Sequence, residues 1–407
     1  MTINSSNASY TAMALARQPI VDSRLAVMGY ELLYRKTANS LSADIIDDVS
    51  ATSQVMSAAL FGVGLGNLVG AHLAFIKLPR AYLLEPTGIP FDKDNVVIEV
   101  LADAQFDPIL LAALRRWSAA GYRIALSGFV FESKLVPFVQ LADFIKLDMR
   151  VLDQEGIHQQ VESLRGFNVK IIAEKVETWD EYQFCRVLDV TLFQGYFFEK
   201  PEVLASKSSK VNHTTLLQLM ASLMQSASLS IDELERIVSQ DAMLVHKLLR
   251  YLNSPVTGLV ATIDSVRLAI MLIGADRLKA ITNMLLMSEM VGDRPVLLEQ
   301  TMVRAKHMEL FAERCGYGNE DKFFLAGMLS MIDACLGMTL EDILEELPLP
   351  SEYISAIVNR TGRVGGTLAH IESYATLGHG VMDEDAEILS ETYIEAVQWA
   401  DEVVACF

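Results

Sequence analysis

Acidic, basic and amide side chains recur through the first half of the sequence, each at or near the end of a short apolar run. The set comprises Glu31, Arg35, Lys77, Glu99, Lys146, Asp148, Glu174, Glu177 and Gln194. Carboxylate oxygens bind Mg²⁺ or Mn²⁺ and basic side chains bind phosphate, so this combination is typical of metal-assisted phosphate chemistry. Taken singly, each acid is more often a surface ion-pair partner. Their common position after successive runs favours one shared binding site.

The apolar runs alternate with amphipathic stretches such as Pro108–Ala120, which has the apolar spacing of a helix. Strands are predicted over Ala14–Val21, Met28–Tyr34, Leu73–Leu78, Val96–Leu101, Arg123–Ser127, Phe144–Leu147, Val169–Ala173 and Thr191–Tyr196. About eight strands alternating with helices predict an α/β TIM-like (β/α)8 barrel over residues 10–201. Strand ends in such a barrel would bring the polar side chains to one mouth.

After Pro201 the strand pattern ends, and Leu, Met and Ala recur at spacings of three and four residues. Ser230 precedes Glu233 by three residues, which is a capping-box pattern and predicts a helix that ends near Ser239. The sequence therefore predicts an all-α domain over residues 202–407. A polar linker is expected at residues 200–212.

Charge and cysteine usage exclude several classes of protein. The net charge is −19, with −5 through Pro201 and −14 after it, so the helical half has no basic surface suited to a nucleic-acid backbone. The four cysteines show no CxxC spacing, as expected in a reducing compartment. The first residues lack the basic start and apolar core of a signal peptide. The apolar stretch Ala59–Ile76 contains four glycines, which is unlike a membrane helix. We therefore expect a cytoplasmic protein without nucleic-acid or membrane partners.

Five ordered motifs of the first half resemble the EAL domain family, whose members hydrolyse cyclic-di-GMP. They are Gln18–Val21, Gly29–Arg35, Asp143–Asp148, Ala173–Thr178 and Gln194–Phe198. The resemblance covers about Ala14–Pro201 and implies the same barrel fold. Because matching groups contact phosphate or base in the family, the resemblance also implies three nucleotide-binding candidates, Arg35, Lys146 and Gln194.

The metal ligands that the resemblance implies are incomplete in this chain. Catalytic members hold metal with the signature Glu, an Asn on the third strand, a Glu on the fourth strand and an Asp-Asp pair after the fifth. Glu31 and Glu99 match, but Lys77 replaces the Asn and Ser127-Gly128 replace the Asp pair. Ala102 also replaces a second acid of the fourth-strand motif.

These departures imply a remnant catalytic site (Glu31, Glu99, Asp148, Glu174 and Glu177) that binds no metal cofactor. A fixed ammonium a few ångströms from a divalent ion repels it by roughly 4–8 kcal/mol at an effective dielectric near 20. We hypothesise that Lys77 replaces the metal by pairing with Glu31, Glu99 or Glu174.

The helical half resembles the HDOD domain family, which is related to metal-dependent HD phosphohydrolases. The resemblance rests on Ile237–Ser254, on Leu272–Gly274 and on the segment around Ser330-Met331. Ser330 and Met331 stand where the metal-binding His-Asp pair would be, so no metal is expected there. Ser330–Gly337 resembles the subgroup fused to EAL barrels, called YuxH-type.

Three functions remain open from the sequence. The first is a non-catalytic signalling protein of cyclic-di-GMP pathways, such as control of motility, that acts through protein partners of its HDOD domain, with nucleotide sensing undecided. The second is a weak phosphodiesterase that uses Mg or Mn at Glu31, Glu99, Asp148 and Glu174. The third is a scaffold that binds no nucleotide. The EAL resemblance also makes a homodimer a reasonable expectation.

Overall fold

The computed structural model describes residues 13–36, 64–84, 92–101, 104–199, 210–224, 230–257, 262–291, 294–336, 338–345, 347–375 and 385–405. Eight strands close into one barrel in chain order. They are β1 (Met13–Asp22), β2 (Val27–Lys36), β3 (Leu73–Lys77), β4 (Val96–Leu101), β5 (Arg123–Ser127), β6 (Phe144–Asp148), β7 (Lys170–Glu174) and β8 (Leu192–Gln194). All eight predicted strands are confirmed.

One strand departs from the parallel arrangement of a regular TIM barrel. β1 runs antiparallel to both of its neighbours, β2 and β8, whereas the other neighbouring pairs are parallel. A short turn joins β1 to β2, with Leu25 at a φ of 59°. An antiparallel pair can be joined by so short a turn, whereas a parallel pair needs a longer crossover, usually a helix. No helix therefore lies between β1 and β2 in the chain.

The described residues of the barrel half include six α-helices. They are α1 (Leu65–Val69), α2 (Arg80–Leu84), α3 (Pro108–Ala119), α4 (Val136–Val139), α5 (Gln154–Leu164) and α6 (Trp179–Val187). Local sequence explains where the longer ones begin: the Asp107 carboxylate accepts a hydrogen bond from the backbone of Leu110 at the start of α3. Thr178 and Glu181 form a capping box at the start of α6.

An apolar layer closes the interior of the barrel beneath its polar mouth. It consists of inward-facing residues from seven strands, namely Ile20, Phe75, Val97, Ala125, Phe144, Ile172 and Leu192. Burial of one such large side chain stabilises the fold by about 1.5–3 kcal/mol. The barrel is therefore a packed core and not a pore.

The described residues after 209 form helices and connecting turns, as the sequence predicts. The helices are α7 (Lys210–Met224), α8 (Ile231–Val238), α9 (Ala242–Leu252), α10 (Val266–Ile273), α11 (Ala275–Val291), α12 (Pro295–Arg314), α13 (Glu320–Leu329), α14 (Ile332–Leu336), α15 (Leu340–Glu345), α16 (Ser351–Asn359), α17 (Gly362–Ala375) and α18 (Ala386–Val404). The predicted capping box is confirmed, because Ser230 Oγ accepts a hydrogen bond from the backbone of Glu233 at the start of α8.

The helical half packs against the side of the barrel formed by β1, which is joined to β2 without a helix between them. α18 lies along β1 and also contacts α1, and α12 packs between α18 and α13. The expected linker at 200–212 and the division at 201/202 fall largely outside the described residues. In the part of the chain that the structure describes, no helix is both long and apolar enough to cross a bilayer.

Candidate functional site

The barrel mouth is organised around a buried lysine. Lys146, in the middle of β6, has no solvent exposure, and its Nζ lies 2.5 Å from Glu31 Oε2, 3.2 Å from Glu99 Oε1 and 3.3 Å from Glu174 Oε2. These glutamates come from β2, β4 and β7, so four strands contribute to one ionic cluster. The sequence identified all four residues, but it did not indicate that Lys146 would lie at their centre.

A second lysine completes the cluster on its solvent side. Lys77 ends β3, and its Nζ lies 2.6 Å from Glu31 Oε1 and 3.9 Å from Glu99 Oε1. Its side chain is 40% exposed, whereas that of Glu31 is 4% exposed. Each carboxylate oxygen of Glu31 is therefore in contact with a different ammonium. Of the three partners hypothesised for Lys77, Glu31 and Glu99 lie within ion-pair distance of it. The third, Glu174, lies next to Lys146 instead.

The charges in the cluster shift one another's pKa values. Burial opposes ionisation of Glu31, but the adjacent Lys146 and Lys77 ammoniums outweigh it and hold the pKa of Glu31 well below its usual range. Burial and the nearby negative charge of Glu31 raise the pKa of Glu99. Burial alone would lower the pKa of Lys146, yet its three glutamates raise it above the usual value. Lys146 is therefore a permanent cation at physiological pH.

Gln194 links the cluster to the first strand. Its Nε2 donates hydrogen bonds to Glu31 Oε2 at 2.6 Å and to Gln18 Oε1 at 2.9 Å. The next residue, Gly195, has a φ of 154°, and a Cβ there would lie 2.0 Å from the carbonyl oxygen of Val176. Glycine is therefore required for the end of β8 to lie against that backbone and to hold Gln194 in place.

Asp148 and Glu177 do not join the central cluster but form separate ion pairs. Lys175 Nζ lies 2.5 Å from Asp148 Oδ2, and Arg150 pairs with Glu177. Lys175 has a φ of 59°, an unusual conformation for a residue with a side chain. It stands where the resembled motif has glycine, so the chain accepts backbone strain to place a further cation at the mouth. Lys175 was not among the predicted site residues, although the replaced glycine was a visible signal.

The remaining predicted positions are not among the ion pairs that the structure describes at the mouth. Ser127 is buried at the end of β5, and Gly128 follows it with a φ of 62°. Arg35 lies in β2, but its side chain is outside what the structure describes, and Ala102 is not among the described residues. Neither a hydroxyl nor a glycine supplies the negative charge of the Asp-Asp pair that the resemblance implies.

The side chains at this mouth do not fit a divalent metal ion. Mg²⁺ binds carboxylate oxygens at about 2.0–2.1 Å, so an ion on Glu31 would need the space that the Lys77 and Lys146 ammoniums occupy. Those ammoniums would also repel the ion. Within the described ranges, no group of three or more His, Cys, Asp or Glu residues has an arrangement suited to holding a metal.

The second predicted remnant site lies in the helical half. Ser330 Oγ donates a hydrogen bond to the carbonyl oxygen of Gly327 at 2.7 Å, and Met331 is buried. Arg304 Nη1 lies 3.4 Å from Ser330 Oγ and 3.5 Å from Glu372 Oε1. A guanidinium therefore neighbours Ser330, at the position that the HDOD resemblance matches to a metal-binding His-Asp pair.

Comparisons with known proteins agree with both motif resemblances. A model of the EAL domain matches residues 82–201, and a model of the HDOD domain matches residues 212–351. The chain is 28% identical to the cyclic di-GMP phosphodiesterase CdgJ of Vibrio cholerae, over 96% of this chain and 92% of that protein. It is 26% identical to the uncharacterized protein YuxH of Bacillus subtilis, over 95% and 97% of the two chains.

Solved structures of EAL proteins align with part of the chain. The cAMP- and cyclic-di-GMP-bound form of the EAL enzyme Bd1971 aligns with 46% of this chain and 62% of its own, at a TM-score of 0.39 and 19% identity. The manganese and cyclic-di-GMP complex of Klebsiella pneumoniae BlrP1 covers 46% of this chain and 55% of its own, at a TM-score of 0.38 and 21% identity.

Proposed function

Because this chain carries an EAL domain followed by an HDOD domain, we propose that it acts in cyclic-di-GMP signalling as a non-catalytic protein. The barrel, residues 10–201, serves as a platform that senses nucleotide, and the helical domain, residues 202–407, transmits the signal through protein partners. One observation carries this proposal: both carboxylate oxygens of Glu31 are engaged by side-chain ammoniums. In this proposal the Lys77 and Lys146 ammoniums take the place of the metal ions.

The charge balance at the mouth supports a site that is complete without metal ions. Glu31, Glu99 and Glu174 surround Lys146, and Lys77 covers Glu31 from the solvent side. Without a metal, no bound water is activated for attack and no divalent charge neutralises the phosphodiester. We therefore propose no metal cofactor and no hydrolysis of cyclic-di-GMP.

A nucleotide would approach this mouth through its exposed cation. Lys77 is 40% exposed and presents a positive charge that a phosphate can contact. Lys146 has no exposure and would act on a ligand only through the carboxylates around it. Of the three nucleotide-binding candidates, Gln194 is buried like Lys146, and the side chain of Arg35 is outside what the structure describes, so our proposal assigns the first phosphate contact to Lys77.

A weak metal-dependent phosphodiesterase is the second candidate. It is favoured by the similarity over 96% of the chain to a protein named as a cyclic di-GMP phosphodiesterase. This function would require the half-exposed Lys77 to swing away, so that Mg or Mn could bind between Glu31, Glu99 and Glu174. Asp148 would contribute only after it had left Lys175.

The two candidates are separated by calorimetric titration of cyclic-di-GMP into the full chain, with and without Mn²⁺, followed by chromatography of the products. We expect binding that does not depend on metal and no linear dinucleotide product. Steady Mn²⁺-dependent turnover that is lost in Glu31→Ala would refute the main proposal. Absence of any binding or thermal shift would instead support a scaffold without nucleotide.

A rebuilding experiment tests the proposed reason for inactivity. The triple variant Lys77→Asn, Ser127→Asp, Gly128→Asp restores the ligands that the family resemblance implies. Asp is among the residues that tolerate the left-handed conformation of Gly128, so the backbone can be kept. We expect the variant to bind Mn²⁺ at least tenfold more tightly than the parent chain. The control, Lys134→Asn, removes a 72% exposed lysine from the barrel surface and should leave Mn²⁺ binding unchanged.

The proposed location and partners follow from the same features. Cys185, Cys315 and Cys335 are free thiols among the described residues, as expected for a cytoplasmic protein. We propose protein partners for the HDOD domain, and a homodimer of the chain remains a proposal to be tested by light scattering. Control of motility is the expected output, because it is the process implied by the family resemblance.

A further inference from the structure

The β1–β2 hairpin separates the ionic cluster of the barrel from the helical domain. Gln18 and Glu31 are paired across the hairpin and face the barrel interior. The preceding residues on the two strands, Arg17 and Tyr30, face the opposite side, because side chains alternate along a strand. The same two strands therefore carry site residues on one face and interdomain contacts on the other.

Arg17 forms a buried ionic cluster with the helical domain. Its Nη2 lies 2.8 Å from Glu299 Oε1 of α12 and 2.8 Å from Asp401 Oδ1 of α18. Its Nη1 donates to the carbonyl oxygen of Leu68 at 2.5 Å, and its guanidinium lies 4.2 Å from the centre of the Tyr30 ring. The side chains of Arg17 and Glu299 are 2% and 9% exposed.

Tyr30 connects this interdomain cluster to the barrel mouth. Its hydroxyl donates a 2.6 Å hydrogen bond to Glu299 Oε2, and the next residue is Glu31. The Tyr393 hydroxyl of α18 also accepts a hydrogen bond from the backbone N–H of Arg17 at 3.3 Å. A shift of the backbone at residues 30 and 31 would therefore move two side chains at once. Glu31 would move relative to Lys146 on one face of β2, and Tyr30 would move relative to Glu299 on the other.

An interface that buries charges can open more readily than an apolar interface of the same size. When the domains separate, Arg17, Glu299 and Asp401 regain hydration that they lost on docking, which offsets part of the lost attraction. Burial raises the pKa of Glu299 even though Arg17 opposes that shift, so desolvation of this carboxyl is the larger effect. Docked and open arrangements are therefore closer in free energy than they would be for an apolar contact.

We propose that the β1–β2 hairpin couples the state of the barrel mouth to the docking of α12 and α18. An occupant that draws the half-exposed Lys77 away from Glu31 shifts β2, weakens the Tyr30–Glu299 hydrogen bond and favours the open interface. The nucleotide as occupant rests on the proposed function, whereas the coupling itself depends only on the contacts of the hairpin. This device gives the barrel a physical route to the helical domain.

Hydrogen exchange of the full chain tests the coupling without any ligand. Glu31→Gln removes the charge that holds both lysines but keeps the size of the side chain. We expect amide exchange in α12 and α18 to increase by at least about five-fold, the lower end of typical coupling between sites. Exchange in α9 serves as the internal reference. The control variant is Glu162→Gln, which alters a surface pair on α5.

A double-mutant cycle gives a second readout that does not depend on exchange rates. Glu31→Gln and Glu299→Gln are measured singly and together by urea unfolding, and coupled residues should give non-additive changes in stability. Faster exchange confined to the barrel strands, together with additive changes, would overturn the coupling. If cyclic-di-GMP does not bind, the proposed function fails while this cycle still decides the inference. If it binds and α18 exchange is unchanged, the inference alone fails.

Discussion

Lys146→Met is the substitution that most directly tests how the barrel mouth is held together. Methionine preserves an unbranched side chain of similar length but removes the charge that contacts Glu31, Glu99 and Glu174 at 2.5, 3.2 and 3.3 Å. After the change, Lys77 still pairs with Glu31 and Glu99, whereas Glu174 loses the ammonium next to it. The barrel then contains uncompensated negative charge in a region with almost no access to water.

The size of the effect follows from these distances. A pair of unit charges about 3 Å apart attracts by roughly 5 kcal/mol at an effective dielectric of 20, so three contacts give a gross attraction of about 15 kcal/mol. Most of this is offset by the desolvation of the ammonium and of the carboxylates. Removal of one partner from a buried ion pair typically destabilises a protein by about 3–5 kcal/mol. We therefore expect a loss of about 3–5 kcal/mol in the free energy of unfolding at neutral pH.

The loss should depend on pH with a definite sign. In the parent chain the pKa of Glu31 is held below its usual range, so its contribution is present above about pH 4.5 and is lost as the pH falls through the folded-state pKa. Without Lys146, burial raises the carboxyl pKa values, and the native state binds more protons than the unfolded state. Stability of the variant then decreases as pH rises, by about 1.4 kcal/mol per pH unit for each such proton. The difference between the two proteins should therefore grow from pH 5 to pH 8.

Urea unfolding followed by circular dichroism at pH 5.5 and pH 7.5 measures the loss in the free energy of unfolding and its dependence on pH. Lys134→Met is the matched control, because Lys134 is 72% exposed and its pair with Glu132 lies on the surface. The control should change stability by less than about 0.5 kcal/mol. Equal stability of Lys146→Met and the parent chain, or a loss that does not change with pH, would refute this account of the cluster.

Three further predictions concern positions outside the ionic cluster. Gly195→Ala should destabilise the barrel by more than about 4 kcal/mol in thermal unfolding, because its Cβ would lie 2.0 Å from the Val176 carbonyl oxygen. The control, Gly166→Ala, should change thermal stability little, because nothing lies within 4 Å of its Cβ. Burial lowers the pKa of His307 from about 6.5 to about 3, so the unfolded state binds a proton that the folded state does not, and the parent chain should lose stability as the pH falls below about 6.5. His307→Gln should reduce this loss of stability between pH 7 and pH 5. Ser230→Ala removes a capping side chain and should cost about 1 kcal/mol in urea unfolding at neutral pH.

The sequence determined which elements form and in which order. Alternation of short apolar runs with amphipathic stretches predicted eight strands, and the structure confirms all of them. Capping residues such as Ser230 and Thr178 fix where helices begin, because they act on backbone groups within three residues. Such signals are local and can be read without knowledge of the rest of the fold. The ordered motifs likewise identified both domain families, since each motif is a short run of residues.

The sequence also supplied the members of the ionic cluster but not their arrangement. Glu31, Glu99, Lys146 and Glu174 were all predicted as site residues, yet nothing in their spacing indicated that Lys146 would be fully buried among the three acids. Their mutual distances depend on the closure of the barrel, which brings β2, β4, β6 and β7 to one mouth. Asp148 and Glu177 had the same sequence signals but lie in separate ion pairs.

Only the tertiary structure decided how the two halves meet. Arg17 lies 282 residues from Glu299 and 384 residues from Asp401 in the chain, and each alone looks like an ordinary surface charge. Arg17 and Glu299 are buried, with Asp401 partly buried beside them, because no helix lies between antiparallel β1 and β2, and α12 and α18 cover that side of the barrel. Local sequence determines backbone conformation over a few residues, whereas burial of a charge depends on what the remainder of the chain places against it.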